Sequence, residues 1–265
     1  MILPQNFGIA MTMTLLAGLA TSIGAGIAFV VKKDNLKILS VGLGFSAGVM
    51  VFLSFMDIIP EADNMLAVNF PQSHEWLVFF GFITGIVVAM LIDYFLPDHI
   101  DPDELEHPEG ACLHRHKIKR AGLFTAIAIC VHNFPEGMAT FLTATQNLTL
   151  GVSVALAIAI HNIPEGIAVA LPIYHVTGKK RQAMLYAALS GITEPVGALI
   201  GVLLFSVFLP EILVGILLAA VAGIMVYLSF DTLLPLAKEY GSWHLSMAGI
   251  FTGILFIWIS LILIG

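Results

Sequence analysis

The chain has 265 residues, 58% hydrophobic and 11% charged, with a mean hydropathy of +0.97 and a formal net charge of -7. Soluble domains carry about 25% charged residues, so a water-exposed globule is excluded and an integral membrane protein is implied. Only two cysteines occur, Cys112 and Cys130, in different kinds of segment, which argues against a disulfide scaffold. No GxxxxGK[ST] phosphate loop is present (Gly178-Lys179 lacks the upstream glycine), which argues against an ATP-driven pump.

A spanning helix needs about 20 mostly apolar residues. Eight segments qualify, at roughly 7–31, 38–59, 76–96, 121–146, 149–176, 184–208, 211–237 and 244–265. We number them spans 1 to 8. Met1 to Gly8 has no basic residue, so it reads as the beginning of span 1 rather than a cleaved signal peptide. Lys32, Lys33 and Lys37 fall in the first connection and Arg115, Lys117, Lys119 and Arg120 in the third. Lys179, Lys180 and Arg181 fall in the fifth, and Lys238 in the seventh. These are all 11 basic residues, and the even connections and both termini have none. By the positive-inside rule the odd connections are cytoplasmic and both ends lie outside.

The chain also repeats itself. Ala47-Gly48-Val49-Met50-Val51-Phe52-Leu53-Ser54-Phe55 in span 2 matches Ala222-Gly223-Ile224-Met225-Val226-Tyr227-Leu228-Ser229-Phe230 in span 7, and Pro60 and Pro235 keep the same offset of 175. Gly81-Phe82-Ile83-Thr84-Gly85 in span 3 likewise matches Gly249-Ile250-Phe251-Thr252-Gly253 in span 8. Repeat one (about 7–96) thus resembles repeat two (about 184–265) but enters the membrane from the other side, with a central helix pair (121–176) between them. The expected fold is an all-α membrane protein of eight transmembrane helices in a 3+2+3 inverted repeat, one transporter domain over 1–265. Inverted repeats interrupted near mid-membrane belong to secondary transporters. The connection 97–120 carries Asp98, His99, Asp101, Asp103, Glu104, Glu106, His107, Glu109, Cys112, His114 and His116. It reads either as a loose metal binder, since imidazole and thiolate suit transition ions, or as a solvated linker, and no site is assigned there.

The central pair carries one phrase twice: His132-Asn133-Phe134-Pro135-Glu136-Gly137 and, 29 residues later, His161-Asn162-Ile163-Pro164-Glu165-Gly166. His and Glu four apart share a helix face, with Asn beside it. The proline has no N–H and crowds the carbonyl one turn back, which predicts a kink and freed acceptors at Val131 and Ile160. His132, His161 and Glu194 each lie 8–13 residues into their spans, or ~12–20 Å at 1.5 Å per residue, close to the midplane of a ~30 Å hydrocarbon layer. Glu136 and Glu165 lie one turn further along helices running in opposite directions. An ionised group at that depth costs at least ~2.5–3.5 kcal/mol, and no Lys or Arg lies in any span.

Three carboxylates with two imidazoles and two amide oxygens and no fixed counter-ion read as a cation cage. Imidazole suits zinc and iron(II), and oxygen ligands suit harder ions such as manganese. Glu136 and Glu165 are placed to bridge two adjacent ions. One subsite uses His132, Glu136, His161 and Glu165; the other uses Asn133, Glu136, Asn162, Glu165 and Glu194. Met50 and Asp57, seven apart in span 2, read as an entrance relay or auxiliary ligand, against core packing for Met50. A salt-bridge staple between spans 4 and 5 would explain neither Glu194 nor the prolines. Asp93 and Asp231, near cytoplasmic ends, read as interfacial.

HNFPEG and HNIPEG on consecutive spans, Glu194 before Pro195, the AGVM of span 2 and the 3+2+3 plan resemble the ZIP family of zinc and iron transporters, in its bacterial members. The resemblance covers essentially the whole chain. It implies inward transport of zinc, iron(II) and related ions (manganese, cobalt, cadmium), no cofactor, no nucleic acid, and a homodimer in a bacterial or archaeal cytoplasmic membrane. It also implies the two-subsite arrangement at His132, Asn133, Glu136, His161, Asn162, Glu165 and Glu194, and motion of spans 1, 4, 5 and 6 against the others. Many eukaryotic members have His where Asp57 stands. The third connection becomes a candidate regulatory site. The competing reading is an intramembrane metal-dependent hydrolase, in which the ion would activate water. It lacks HExxH and the three fixed protein ligands of catalytic zinc.

Overall fold

The computed structural model describes residues 6–30, 35–95, 110–205 and 211–264. Lys32, Lys33 and the acids and histidines of 97–109 lie outside the described residues, and over 110–117 only the helical backbone is described. The described residues are helical nearly throughout, without strands. Among them, seven helices are long and apolar enough to cross a membrane. The other long helix, Gly110–Gln146, has span 4 as its apolar part and a cationic stretch at its start.

Surface and interior are inverted relative to a soluble protein. Leu16, Phe80, Phe251 and Leu263 are each more than half exposed, whereas His132, Asn133, Glu136, His161, Asn162, Glu165 and Glu194 are buried. Helices whose outward faces are apolar need a hydrocarbon solvent, and their polar groups turn inward.

Helix boundaries follow local chemistry. Span 1 is Phe7–Ala28. Span 2 opens at Asn35, whose side chain accepts the N–H of Ile38 at 3.3 Å. It does not stop at residue 59 as expected but runs on to Asn69. Pro60 has no N–H to donate, and the chain absorbs the defect in a five-residue π-turn, Ser54–Ile58, closed by the Ile59 N–H on Ser54 O. Span 7 does the same ahead of Pro235: Ser229–Leu233 is a π-turn closed by the Leu234 N–H on Ser229 O. Span 3 is His74–Phe95 and span 8 is Trp243–Ile264. Span 5, Leu148–Thr177, ends on Gly178 at φ 66°, a left-handed cap that glycine adopts without Cβ strain.

Span 4 begins earlier than expected, at Gly110, so the second half of the third connection is helical. Span 6 also departs from expectation: it starts at Lys180 and is broken at Ile192 into Lys180–Gly191 and Thr193–Phe205. Gly191 is a weak helix former, and Pro195 cannot donate to the Gly191 carbonyl one turn back. Thr193 compensates locally, its hydroxyl donating to Ser190 O at 2.5 Å.

The helices meet where glycines remove side chains. A Cβ added to Gly48 would stand 2.2 Å from Ile250 O, and one on Gly253 would stand 2.2 Å from Phe45 O, joining spans 2 and 8. Spans 7 and 3 meet at equivalent residues, Gly223 at 2.1 Å from Phe82 O and Gly85 at 1.8 Å from Ala220 O. Spans 1 and 5 meet through Gly24 on Ile163 O (2.0 Å) and Gly166 on Thr21 O (1.9 Å). Spans 6 and 4 meet through Gly197 on Phe134 O (2.1 Å) and Gly137 on Glu194 O (2.0 Å). Gly18 and Gly191 press on each other's carbonyls at 2.3 and 2.2 Å, holding spans 1 and 6 together. Close backbone approach of this kind takes the place, inside a membrane, of the hydrophobic drive that water supplies elsewhere.

Gly85→Ala should therefore force spans 3 and 7 apart. Overpacking of this kind costs about 1–3 kcal/mol, so the variant should show a lowered melting temperature in detergent by scanning fluorimetry. An unchanged melting temperature would contradict the packing described.

Candidate metal centre

Spans 4, 5, 6 and 1 build the centre. Both motif helices carry their proline in the interior and remain helical through it. The glycine that closes each motif is explained by packing: Gly137 receives the Glu194 backbone and Gly166 receives the Thr21 backbone. The motif thus places its own His, Asn and Glu on one face and admits a neighbouring span against the next residue.

The imidazoles and carboxylates pair across the two helices. His132 Nε2 lies 2.8 Å from Glu165 Oε1 and 3.5 Å from Glu136 Oε2, and His161 Nε2 lies 3.5 Å from Glu136 Oε1. Ligand atoms ~2.0–2.1 Å from a tetrahedral zinc stand about 3.3 Å apart. The two longer separations already match such an edge, and the His132–Glu165 pair would open by about half an ångström. Among the described residues no group of three or more His, Cys, Asp or Glu stands in ready-made metal geometry, because the carboxylates lean on the imidazoles instead.

The asparagines are anchored symmetrically. Asn133 Nδ2 donates to Ser190 O at 3.1 Å and Asn162 Nδ2 to Ala17 O at 2.9 Å. Asn162 Nδ2 also donates to Glu194 Oε1. With the amide nitrogens spent on backbone, the oxygens remain: Asn133 Oδ1, Asn162 Oδ1, Glu136 Oε2, Glu165 Oε2 and Glu194 Oε2 are buried without a hydrogen-bond partner. Both Nδ1 atoms of His132 and His161 are in the same state. Buried acceptors left open cost about 1–3 kcal/mol each, and a cation satisfies several at once. The residues present therefore fit a divalent ion.

Seven expected residues converge: His132, Glu136, His161 and Glu165 through direct contacts, Asn162 and Glu194 through theirs, and Asn133 on the span 6 backbone. Glu194 also lies within electrostatic reach of Glu136 and Glu165. Met50 does not join them; it is fully buried in the apolar core. Asp57 lines a cavity of about 430 Å³ that also touches Glu61, Thr143, Ser153, Glu136 and His161. This cavity runs from exposed Glu61 past half-buried Asp57 to the buried pair.

Asp57 sits inside the π-turn Ser54–Ile58, so the proline-induced bulge aims it at the cavity. Glu61 was not singled out in the sequence reading, although it follows Pro60 and lies one turn after Asp57. At the opposite end a smaller cavity, about 140 Å³, is lined by Asp93, Arg120, Phe124 and Asp231 and touches none of the motif residues. There Arg120 bonds Asp93, with Nη1 3.0 Å from Oδ1 and Nη2 donating to the carbonyl at 2.7 Å.

A family model described as "ZIP Zinc transporter" matches residues 97–261. Relatives are similar over almost the whole length. The zinc transporter ZupT of Campylobacter jejuni is 46% identical, covering 98% of each chain. That of Streptococcus mutans is also 46% identical over 98% of each. That of Clostridium perfringens is 44% identical over 98% of this chain and 97% of its own.

Its place on the cavity wall predicts that Asp57 attracts ions rather than holding them in the centre. Asp57→Asn should raise the KM for zinc uptake about tenfold, as loss of a focusing charge does, with equilibrium zinc affinity unchanged by calorimetry. A changed affinity with an unchanged KM would place Asp57 in the centre itself.

Proposed function

The chain belongs to the ZIP zinc transporter family, and from that premise we propose how it carries its cargo. It is an integral multi-pass membrane protein that moves divalent metal ions, and it is not an enzyme. The relatives are zinc transporters, so zinc is the cargo proposed first, with iron(II), manganese, cobalt and cadmium as ions the same nitrogen and oxygen ligands accept. The hydrolase reading is set aside, because the family transports metal.

In the proposed path, an ion enters the cavity past Glu61 and Asp57 and reaches His132, Asn133, Glu136, His161, Asn162, Glu165 and Glu194. Glu136 and Glu165 bridge the two subsites, for one or two ions. The observation that carries this is the cross-pairing of His132 with Glu165 and His161 with Glu136 beside five unpartnered carboxylate and amide oxygens. Among the described residues no cationic side chain contacts these groups: Arg120 pairs with Asp93 near the end of span 3, Lys180 bonds Phe29 O and Lys238 lies over Trp243. Transport runs toward the cytoplasm, with the basic ends inside and both termini outside.

The chain is one transporter domain with the 3+2+3 inverted repeat. Its support is that the glycine contacts of spans 2 with 8 and 7 with 3 use equivalent residues, as do those of spans 1 with 5 and 6 with 4. Such contacts link spans 5, 1, 6 and 4 in that order, and these four would move as a body against spans 2, 3, 7 and 8. The apolar outer faces leave room for a homodimer in a bacterial or archaeal membrane.

Glu165→Ala should abolish metal uptake into proteoliposomes while leaving expression and elution profile intact; retained uptake would remove the central role given to it. His161→Ala should change the preference among zinc, iron(II), manganese and cadmium more than the total capacity. An unchanged preference would contradict a ligand role for His161.

A further inference from the structure

A threonine inside a helix usually donates its hydroxyl to the carbonyl one turn back. Thr14 does so to Ala10 O at 3.0 Å, Thr125 to Ala121 O at 2.8 Å and Thr140 to Glu136 O at 2.9 Å. Thr21 in span 1 does not. It is fully buried, and its hydroxyl has no hydrogen-bond partner. The carbonyl it would use, Ala17 O, already receives the amide of Asn162. At the equivalent carbonyl of span 6, Ser190 O, both the Asn133 amide and the Thr193 hydroxyl are accepted, whereas at Ala17 O the Thr21 hydroxyl stays away and is left open.

The glycine contacts show where this hydroxyl stands. Gly18 and Gly24 of span 1 correspond to Gly191 and Gly197 of span 6 at one constant offset, 173. That offset pairs Ala17 with Ser190 and Thr21 with Glu194. The pairing holds in space: Gly166 of the second motif meets Thr21 O as Gly137 of the first meets Glu194 O. The asparagines obey it too, since Asn162 bonds Ala17 O and Asn133 bonds Ser190 O. Glu194 reaches Asn162, and the position the same relation assigns to Thr21 is beside Asn133, whose Oδ1 is likewise unpartnered. Thr21 Oγ1 would stand 3.1 Å from a Cβ placed on Gly191, so nothing but a missing side chain separates it from span 6 there.

We propose that Thr21 is the counterpart of Glu194 and supplies a hydroxyl oxygen as a ligand to the transported ion on the Glu165 side of the centre. This rests on the reading of spans 4, 5 and 6 as the metal path. The two sides of the centre then differ in charge. Glu136, which lines the cavity, has Glu194 as a charged neighbour, making two carboxylates, whereas Glu165 on the other side is given a neutral hydroxyl. Capture is strong where the ion enters and weaker where it leaves, so a bound ion is passed on rather than kept. A hydroxyl is also a hard oxygen ligand, which favours manganese and zinc over cadmium relative to a thiol at the same place.

The test uses the full chain in proteoliposomes with zinc, manganese and cadmium as separate ions, and calorimetry of the detergent-purified protein. Thr21→Val removes the hydroxyl at constant shape and should lower zinc uptake about tenfold, the effect of losing one buried polar contact. Thr21→Ser, which keeps the oxygen, should restore at least half of it. Thr21→Cys should raise the cadmium-to-manganese uptake ratio about tenfold, because thiolate is the softer ligand. A purely structural role would not shift that ratio, and the ratio decides the matter even if Thr21→Val elutes as aggregate. Glu165→Ala is run beside them. If it transports normally, the metal path itself is wrong. If it is inactive while Thr21→Val and Thr21→Cys keep the wild-type rates and ion profile, the assignment of Thr21 alone is overturned.

Discussion

The fold answers to one electrostatic constraint: Glu136, Glu165 and Glu194 are buried in a helical bundle with no lysine or arginine at their level. Isolated carboxylates in a medium of low dielectric are costly by many kcal/mol and normally neutralise or find a partner. Here the partners are two imidazoles, themselves buried and each able to carry or release a proton, and asparagines whose amide ends are tied to backbone. Such a set is left with open oxygens of the kind that suit a divalent ion. A fixed guanidinium at that depth would have satisfied the same charges and closed the path.

Glycine supplies the other half of the design. Ile163 and Phe134 carbonyls, Thr21 and Glu194 carbonyls, and the mutual Gly18–Gly191 contact all require a missing Cβ on the facing helix. These contacts surround the ligand-bearing turns, so close packing and ligand placement are one arrangement. The second set, joining spans 2 with 8 and 3 with 7, holds the remaining helices together without touching the centre. The two groups share one apolar core, in which Leu43 and Met50 pack with Phe124 and Ala168, and are also joined by Ser46 Oγ donating to Pro164 O at 2.7 Å and by Arg120 on Asp93.

Much of this was legible in the residues because its signals are strong in apolar sequence. A carboxylate and an imidazole four apart, twice, stand out in an apolar stretch, and the basic residues all keep clear of the apolar stretches. Span lengths followed from hydropathy, but spans 2, 4 and 6 departed from it. Span 2 runs past its expected end and through Pro60 because a π-turn absorbs the missing N–H, as one does ahead of Pro235 in span 7, and no periodicity announces it. Span 6 breaks at Ile192, where Gly191 and Pro195 act together with the pressure of Gly18. Span 4 begins eleven residues early because a charged stretch can stay helical outside the apolar layer. Thr21 and Glu61 escaped for a different reason. A single threonine or a loop-side acid carries no pattern of its own, and only the register of span 1 on span 6 and the shape of the cavity give them meaning.

X-ray absorption spectroscopy of the zinc-loaded protein measures the central claim most directly. The account requires a mixed shell of imidazole nitrogen and carboxylate or amide oxygen, losing its imidazole signature when His132 and His161 are both replaced by alanine. A zinc shell of water alone, or one unchanged by the double replacement, would mean that the buried carboxylates of spans 4, 5 and 6 are not where the ion rests.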